Sequence, residues 1–265
     1  MRYDKENTLF VTDMDGTLLG TDSLLSDYTV DVLREVLSRG YNFTVASGRA
    51  PESPIQIFRE RGLELRLPVI GRNGVLIYDP VKEEYIKIHT LPSLSSEKII
   101  WLIRENKAEM FLLERVENGQ PVFNRRGMDG FEESLNSFDD IIYITADGSR
   151  GQLQMIYDDS VILPGVGGLF FRDDFLSDDP DMWFAEFFGA DAGKGSGISF
   201  IKERLGFTRT VCFGDNINDL SMFEVSDEGY APENAVPEVK ASATAVIAAN
   251  SGDGVARWLE ENLLR

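Results

Sequence analysis

Two aspartates at alternate positions, Asp13 and Asp15, directly follow the apolar run Leu9, Phe10 and Val11, and Gly16 comes next. The apolar run reads as a short buried strand, with Asp13 as its last residue. In open α/β sheets ligands bind beyond the carboxyl ends of strands, so two carboxylates there can bind a hard cation or attack an electrophile. Asp-x-Asp-Gly is also an ordinary turn in which carboxylates accept local hydrogen bonds, so this stretch alone leaves both readings open.

The inventory of reactive side chains narrows the chemistry. The chain has one histidine, His89, and one cysteine, Cys212, among 265 residues. One histidine excludes multi-histidine two-metal sites, and His89 falls in the strand-like run IKIHT. Six positions after Cys212 stands Asn218 where a cysteine phosphatase loop wants arginine. Cys212 itself reads as a small core residue. Carboxylate, hydroxyl and lysine remain for covalent chemistry. A net charge of −19 argues against nucleic-acid binding. No apolar run reaches the length of a membrane span, and the N-terminal residues show no signal core, so a cytoplasmic protein is expected.

The elements that would position these residues follow in order. Ser26 caps a helix expected over 27–39, closed by Gly40. A strand over 42–46 ends at Ser47-Gly48-Arg49, a helix runs from about Pro51 to Gly62, and a strand lies at 68–70. This alternation predicts a parallel sheet covered on both faces. After Asn73-Gly74, VLIYD and EYIKIH read as a hairpin. From about Leu91 to Asp191 a helix at 95–107 precedes strands at 110–115, 141–145, 153–157, 168–172 and 182–188. Acidic pairs beginning at Asp139, Asp158, Asp173 and Asp178 read as solvated loop tips. The α/β pattern then resumes, with a helix over 198–205, a strand over 210–213, GDNIND, a short helix, a strand at 229–231 and a helical tail over 255–263.

Four features thus fall at strand ends or just past the insertion: Asp13 with Asp15, Ser47, Lys194, and Gly214-Asp215-Asn216-Ile217-Asn218-Asp219. If the first, second and 210–213 strands are neighbours, these converge. Carboxylates suit Mg²⁺, and a lysine beside the cation supplies charge for phosphoryl transfer. Each has a plain alternative: Ser47 in a turn, Lys194 as a solvent lysine in a glycine loop, GDNIND as a helix cap. Lys194 lies in no P-loop, because Phe188 stands at the first glycine position and Gly195 follows the lysine. Gly165-Val166-Gly167-Gly168 lacks the strand-to-helix setting of a dinucleotide fingerprint.

DMDGT, ASGR, the lysine of AGKG, and GDNINDLSMF resemble, in order, the four motifs of the haloacid dehalogenase-like (HAD) phosphatases. NGVLIYD and NAVPEVKASA…DGVARWLE are similar to the Cof-like type IIB branch. The resemblance implies an α/β fold: a Rossmann-like parallel-sheet core over 1–84 and 191–265, with an inserted α+β cap over 85–190. It implies that Asp13 is the nucleophile and forms an aspartyl-phosphate. Asp15 would be the general acid and base. Mg²⁺ would be held by Asp13, the Asp15 backbone carbonyl and Asp215, with Asp219 also at the metal. Ser47 and Lys194 would bind and offset the phosphoryl oxygens. Gly48, Arg49, Asn73 and Asn218 would contribute to substrate binding. The expected reaction is hydrolysis of a small phosphate ester, with a sugar phosphate as first candidate, no nucleic-acid or membrane partner, and oligomeric state left open. A phosphomutase and a non-hydrolytic phospho-acceptor are the alternatives.

Overall fold

The computed structural model describes residues 3–124, 138–172 and 179–265. The chain begins with β1 (Thr8–Thr12), an irregular turn (Met14–Leu18), α1 (Asp27–Ser38), β2 (Asn42–Val45), α2 (Glu52–Glu60), β3 (Val69–Gly71), β4 (Leu76–Asp79) and β5 (Glu84–Ile88). There follow α3 (Ser93–Glu105), β6 (Glu109–Glu117), β7 (Gln120–Asn124), β8 (Ile141–Ser149), α4 (Arg150–Val161), β9 (Val166–Phe171) and β10 (Met182–Gly189). It ends with α5 (Lys194–Leu205), β11 (Arg209–Phe213), α6 (Leu220–Val225), β12 (Glu228–Pro232), α7 (Pro237–Ser242), β13 (Ala245–Ile247) and α8 (Gly254–Leu259). Ile88–Ala192 form one compact unit, and the chain on either side of them forms another.

The first unit is built on a five-stranded sheet in the order β13-β12-β11-β1-β2, with every pairing parallel. All five residues of β1 are buried, as its uninterrupted apolar run requires of a central strand. Its side chains alternate between two cores. Phe10 joins Phe43, Val211 and Phe213 in the cluster that α1 and α8 complete. Leu9 and Val11 join Cys212, Ile198 and Met222 in the cluster beneath α5 and α6. Each such side chain contributes about 1.5–3 kcal/mol by leaving water. Burial also pushes the Cys212 thiol up to about 12, in keeping with a core residue.

β1 lies between β11 and β2, with Val11 opposite both Cys212 and Thr44. The carboxyl ends of these three strands therefore lie side by side. Asp13 stands one residue beyond β1 rather than within it. Ser26 accepts a hydrogen bond from the Thr29 amide and caps α1 as expected. β3 departs from the simple alternation. It touches the parallel sheet through a bridge from Ile70 to Ala46, but pairs antiparallel with β4 in a second sheet ordered β3-β4-β5.

The second unit carries an antiparallel sheet in the order β7-β6-β8-β10-β9, with α3 and α4 packed on it. One expectation is corrected. Residues 153–157 lie in α4 and not in a strand, because Leu153, Ile156 and Ser160 bury one helical face at three- and four-residue spacing. The Asp158 pair accordingly sits on the exposed side of that helix, not at a loop tip. The Asp139 pair does lie in a turn. The pair beginning at Asp173, and Asp178, lie outside the described residues. Among the described residues, no helix is long and apolar enough to cross a membrane.

Candidate active site

The backbone beyond β1 sets the first part of the site. The Asp13 amide donates to the Phe213 carbonyl at 2.9 Å, which continues the β1–β11 ladder one step past the strand. Asp15 (φ −77°, ψ 125°) and Gly16 (φ 79°, ψ −10°) then have the dihedrals of a type II turn. Gly16 is required twice. Its φ is left-handed, and a Cβ there would stand 2.4 Å from Asp215 Oδ2. The turn leaves Asp13 buried and Asp15 exposed.

The end of β2 contributes Ser47, which is buried and anchored by its amide to the Ile70 carbonyl at 2.9 Å. The Arg49 amide donates to Ser47 Oγ at 3.1 Å. The Arg49 guanidinium grips Asp15 with two hydrogen bonds, Nε to Oδ2 at 2.7 Å and a terminal nitrogen to Oδ1 at 2.5 Å. That contact raises the Arg49 pKa above its ordinary value. The Gly48 carbonyl accepts from Arg72 at 3.2 Å. Asn73 adopts a left-handed conformation (φ 51°) that brings its amide to the Ser47 carbonyl at 3.0 Å, and its Oδ1 accepts from Asn218 Nδ2 at 3.0 Å.

The third part comes from α5 and the β11–α6 connection. Lys194 opens α5 and is 2% exposed. Close packing brings it in: a Cβ on Gly195 would lie 2.1 Å from the Ser221 carbonyl, so only glycine permits this approach. Lys194 Nζ donates to Asp13 Oδ1 and Asp219 Oδ1, each at 2.6 Å. Asp219 Oδ2 accepts from the amides of Asp215 and Asn216 at 2.9 and 3.0 Å. The GDNIND segment is therefore both a cap for the helical turn and a wall of the site. Asp215 Oδ1 accepts from Thr17 Oγ1 at 2.6 Å.

One carboxylate oxygen from each of Asp13, Asp215 and Asp219 lies within 4.8 Å of the others. Burial pushes the Asp13 carboxyl well above its usual range; Lys194 opposes this, and Asp219 and Asp215 add to it. Burial likewise raises Asp215 to about 6, against the Thr17 hydrogen bond and with the help of Asp219. Burial works against the charge of Lys194, but Asp13 and Asp219 outweigh it and hold the ammonium above its ordinary value. Three carboxylates thus face one lysine. The missing positive charge and the all-oxygen donor set both fit a divalent cation of the magnesium type. The carboxylate of Asp15 is not in this triad; it pairs with Arg49 instead.

Asp13, Asp215, Asp219 and Lys194 therefore form one cluster. Ser47, Arg49 and Asp15 form a second chain of contacts, and Asn73 with Asn218 a third that adjoins both. Thr17 was not singled out from the sequence, although it ends the DMDGT motif. Asn234, whose Nδ2 donates to the Gly16 carbonyl at 2.7 Å, gave no local signal, because its partner lies 218 positions away.

The sequence pattern of the haloacid dehalogenase-like hydrolases matches residues 10–147 and 172–259. A Bacillus subtilis 5-amino-6-(5-phospho-D-ribitylamino)uracil phosphatase is 25% identical, the match covering 96% of each chain. A phosphoglycolate phosphatase from Methanopyrus kandleri is 27% identical over 97% of each. A solved haloacid dehalogenase-like hydrolase from Bacteroides thetaiotaomicron superposes with a TM-score of 0.78 at 23% identity, covering 96% of this chain and 99% of that one. The chain belongs to the haloacid dehalogenase-like hydrolase family, has its core-plus-cap fold, and is a phosphoric monoester hydrolase.

Proposed function

We propose that this protein hydrolyses a small phosphorylated metabolite, such as a sugar phosphate, in two steps through an aspartyl-phosphate on Asp13, with Mg²⁺ as cofactor. The observation that carries this reading is the Asp13 carboxylate, fixed by Lys194 at 2.6 Å beside Asp215 and Asp219, with Asp15 two residues on. In the first step an Asp13 oxygen attacks phosphorus and the bond to the leaving alcohol breaks. Asp15 gives that alcohol its proton. In the second step Asp15 takes a proton from water, whose oxygen attacks phosphorus; the bond to Asp13 breaks and phosphate leaves. Lys194 offsets the charge on the phosphoryl oxygens. Ser47, Gly48, Arg49, Asn73 and Asn218 bind the phosphate or its leaving group.

Mg²⁺, when bound, would neutralise phosphoryl charge and favour the carboxylate form of Asp13. Asp13, Asp215 and the Asp15 carbonyl would hold it. Asp219, whose Oδ2 is already taken by two backbone amides and whose Oδ1 accepts from Lys194, would orient that set from behind. The two named relatives act on different phosphate esters, so they support the ester class and not one substrate. On this reading residues 1–84 and 191–265 are the catalytic core, 85–190 the cap, and the cytoplasm the site of action.

The test is phosphate release from a panel of phosphorylated metabolites with Mg²⁺ or chelator, for the wild type and Asp13→Asn. Metal-dependent release that falls to background in Asp13→Asn is the expected result. Substantial residual turnover in that variant overturns the nucleophile assignment. Transfer between sugars without free phosphate would replace hydrolysis by a mutase reaction.

A further inference from the structure

Two asparagines outside the four motifs hold the turn that carries Asp15. Asn234 Nδ2 donates to the Gly16 carbonyl at 2.7 Å. Asn250 Nδ2 donates to the Leu19 carbonyl at 2.9 Å, three residues further along the same turn. The two are coupled, because the Asn250 amide donates to Asn234 Oδ1 at 2.9 Å. Each asparagine thus uses both its donor and acceptor groups, or its backbone, in a single bracket. The turn also closes on itself, the Leu19 amide donating to the Met14 carbonyl at 2.9 Å.

The bracket is anchored on both sides. Two residues after Asn234, the Val236 amide donates to the Asp215 carbonyl at 2.9 Å, so the loop that follows β12 holds the Asp15 turn and the Asp215 loop together. Three residues after Asn250, Asp253 takes a left-handed conformation (φ 57°). Its Oδ1 accepts from Ser26 Oγ at 2.6 Å and from Thr29 Oγ1 at 2.9 Å. The first turn of α1 is thereby tied to the loop that carries Asn250. Asn250 is buried, whereas Asn234 is exposed. An exposed side chain that spends its donor on a catalytic loop contributes little to the core and can be changed without opening it.

We infer that Asn234, with Asn250 behind it, is a positioning residue for proton transfer by Asp15. The Gly16–Thr17 peptide, the second after Asp15, is held at its carbonyl by the Asn234 donor, which fixes the far half of the turn and with it the direction in which the Asp15 carboxylate leaves. Misplacement of a catalytic group by an ångström is enough to cost much of its effect. The inference rests on Asp15 being the acid and base of the proposed reaction.

The test compares Asn234→Ala and Asn234→Asp with the wild type on p-nitrophenyl phosphate and on the most rapidly hydrolysed sugar phosphate. The Asp variant keeps the oxygen that accepts from Asn250 and replaces the donor to Gly16 with a second oxygen, whereas the Ala variant removes the donor without adding charge. kcat/KM reports departure of the alcohol, and p-nitrophenolate leaves without a proton. Both variants are expected to lose about tenfold or more in kcat/KM on the sugar phosphate and less than about threefold on p-nitrophenyl phosphate. Melting temperatures should stay within a few degrees of the wild type. Equal losses on both esters, or wild-type behaviour of Asn234→Asp, overturn the positioning role. Asp15→Asn is run alongside. If it shows no leaving-group dependence, the acid role of Asp15 itself fails; if it does and Asn234→Asp does not, only the bracket fails.

Discussion

Lys194→Met removes the one cation of the acidic cluster while retaining an unbranched side chain of similar reach. Lys194 is 2% exposed and donates at 2.6 Å to both Asp13 and Asp219, themselves buried. Its loss leaves two buried carboxylates without their shared partner, a change that costs about 3–5 kcal/mol. At about 2–4 °C per kcal/mol for a chain of this size class, the melting temperature should fall by roughly 6–20 °C. The pH dependence has a definite sign. The Asp13 carboxyl is raised above its unfolded value, so the folded state binds that proton more tightly, and stability falls as pH rises through the folded pKa. The variant, with Lys194 gone, carries more of this penalty at neutral pH than in acid, because the lysine no longer opposes the rise. Lys194 is also raised; the stability it contributes is present in full below its unfolded pKa and disappears only at alkaline pH. Calorimetry in chelator at pH 7.5 and pH 5 should therefore show a larger drop at pH 7.5. A drop below about 2 °C, or a larger loss at pH 5, would refute the account of Lys194 as the counter-charge of this cluster.

Asp15→Asn should lower kcat/KM on an alkyl phosphate by about 10²–10⁴-fold and slow loss of phosphate from the phosphoenzyme, measured by rapid quench; unchanged rates in both steps would remove Asp15 from the chemistry. Gly16→Ala forces a Cβ to within 2.4 Å of Asp215 Oδ2 at φ 79°, so calorimetric titration should show Mg²⁺ binding weakened at least tenfold, and affinity within twofold of the wild type would contradict the packing. Because Asp215 takes a proton at about 6 in the metal-free cluster and the Asp13 carboxyl is raised as well, Mg²⁺ affinity should decline as pH falls through about 6. An affinity independent of pH between 5 and 7.5 would argue that Asp215 is not a ligand.

The core and its chemistry were legible because their signals are local. The buried strand that breaks off at Asp13, the Ser26 cap and the Lys194 glycine loop can each be read within a window of a few residues. The convergence of Asp13, Ser47 and Asp215 needed only the expectation that their strands are neighbours, which the order β11-β1-β2 meets. Three things were hidden. α4 looked like a strand because LQMIY is short and apolar, and its period emerges only when Ser160 is counted as a buried position. β7, α7 and β13 are too short to stand out, and exposed Ala245 and Val246 carry no burial pattern. Asn234 and Thr17 act through hydrogen bonds to residues 218 and 198 positions away, and nothing in a local window announces such a bond.

The central pairing of Thr8 with Arg209 joins two segments separated by a whole inserted unit, and this dictates an order of assembly. During synthesis β1 emerges long before β11, so its apolar edge waits unpaired while Ile88–Ala192 is made. That unit is contiguous, and its antiparallel sheet draws on its own residues alone. Once formed, it brings its ends together: a Cβ on Gly189 would stand 2.9 Å from the Thr90 carbonyl. The effective loop from β1 to β11 is then roughly halved, because the stretch between Thr90 and Gly189 is closed off. Since each halving of a loop lowers the entropic cost of closure by about 0.6 kcal/mol, prior folding of the insertion speeds the meeting of β1 with β11. The insertion is thus a kinetic staple for the half-made core.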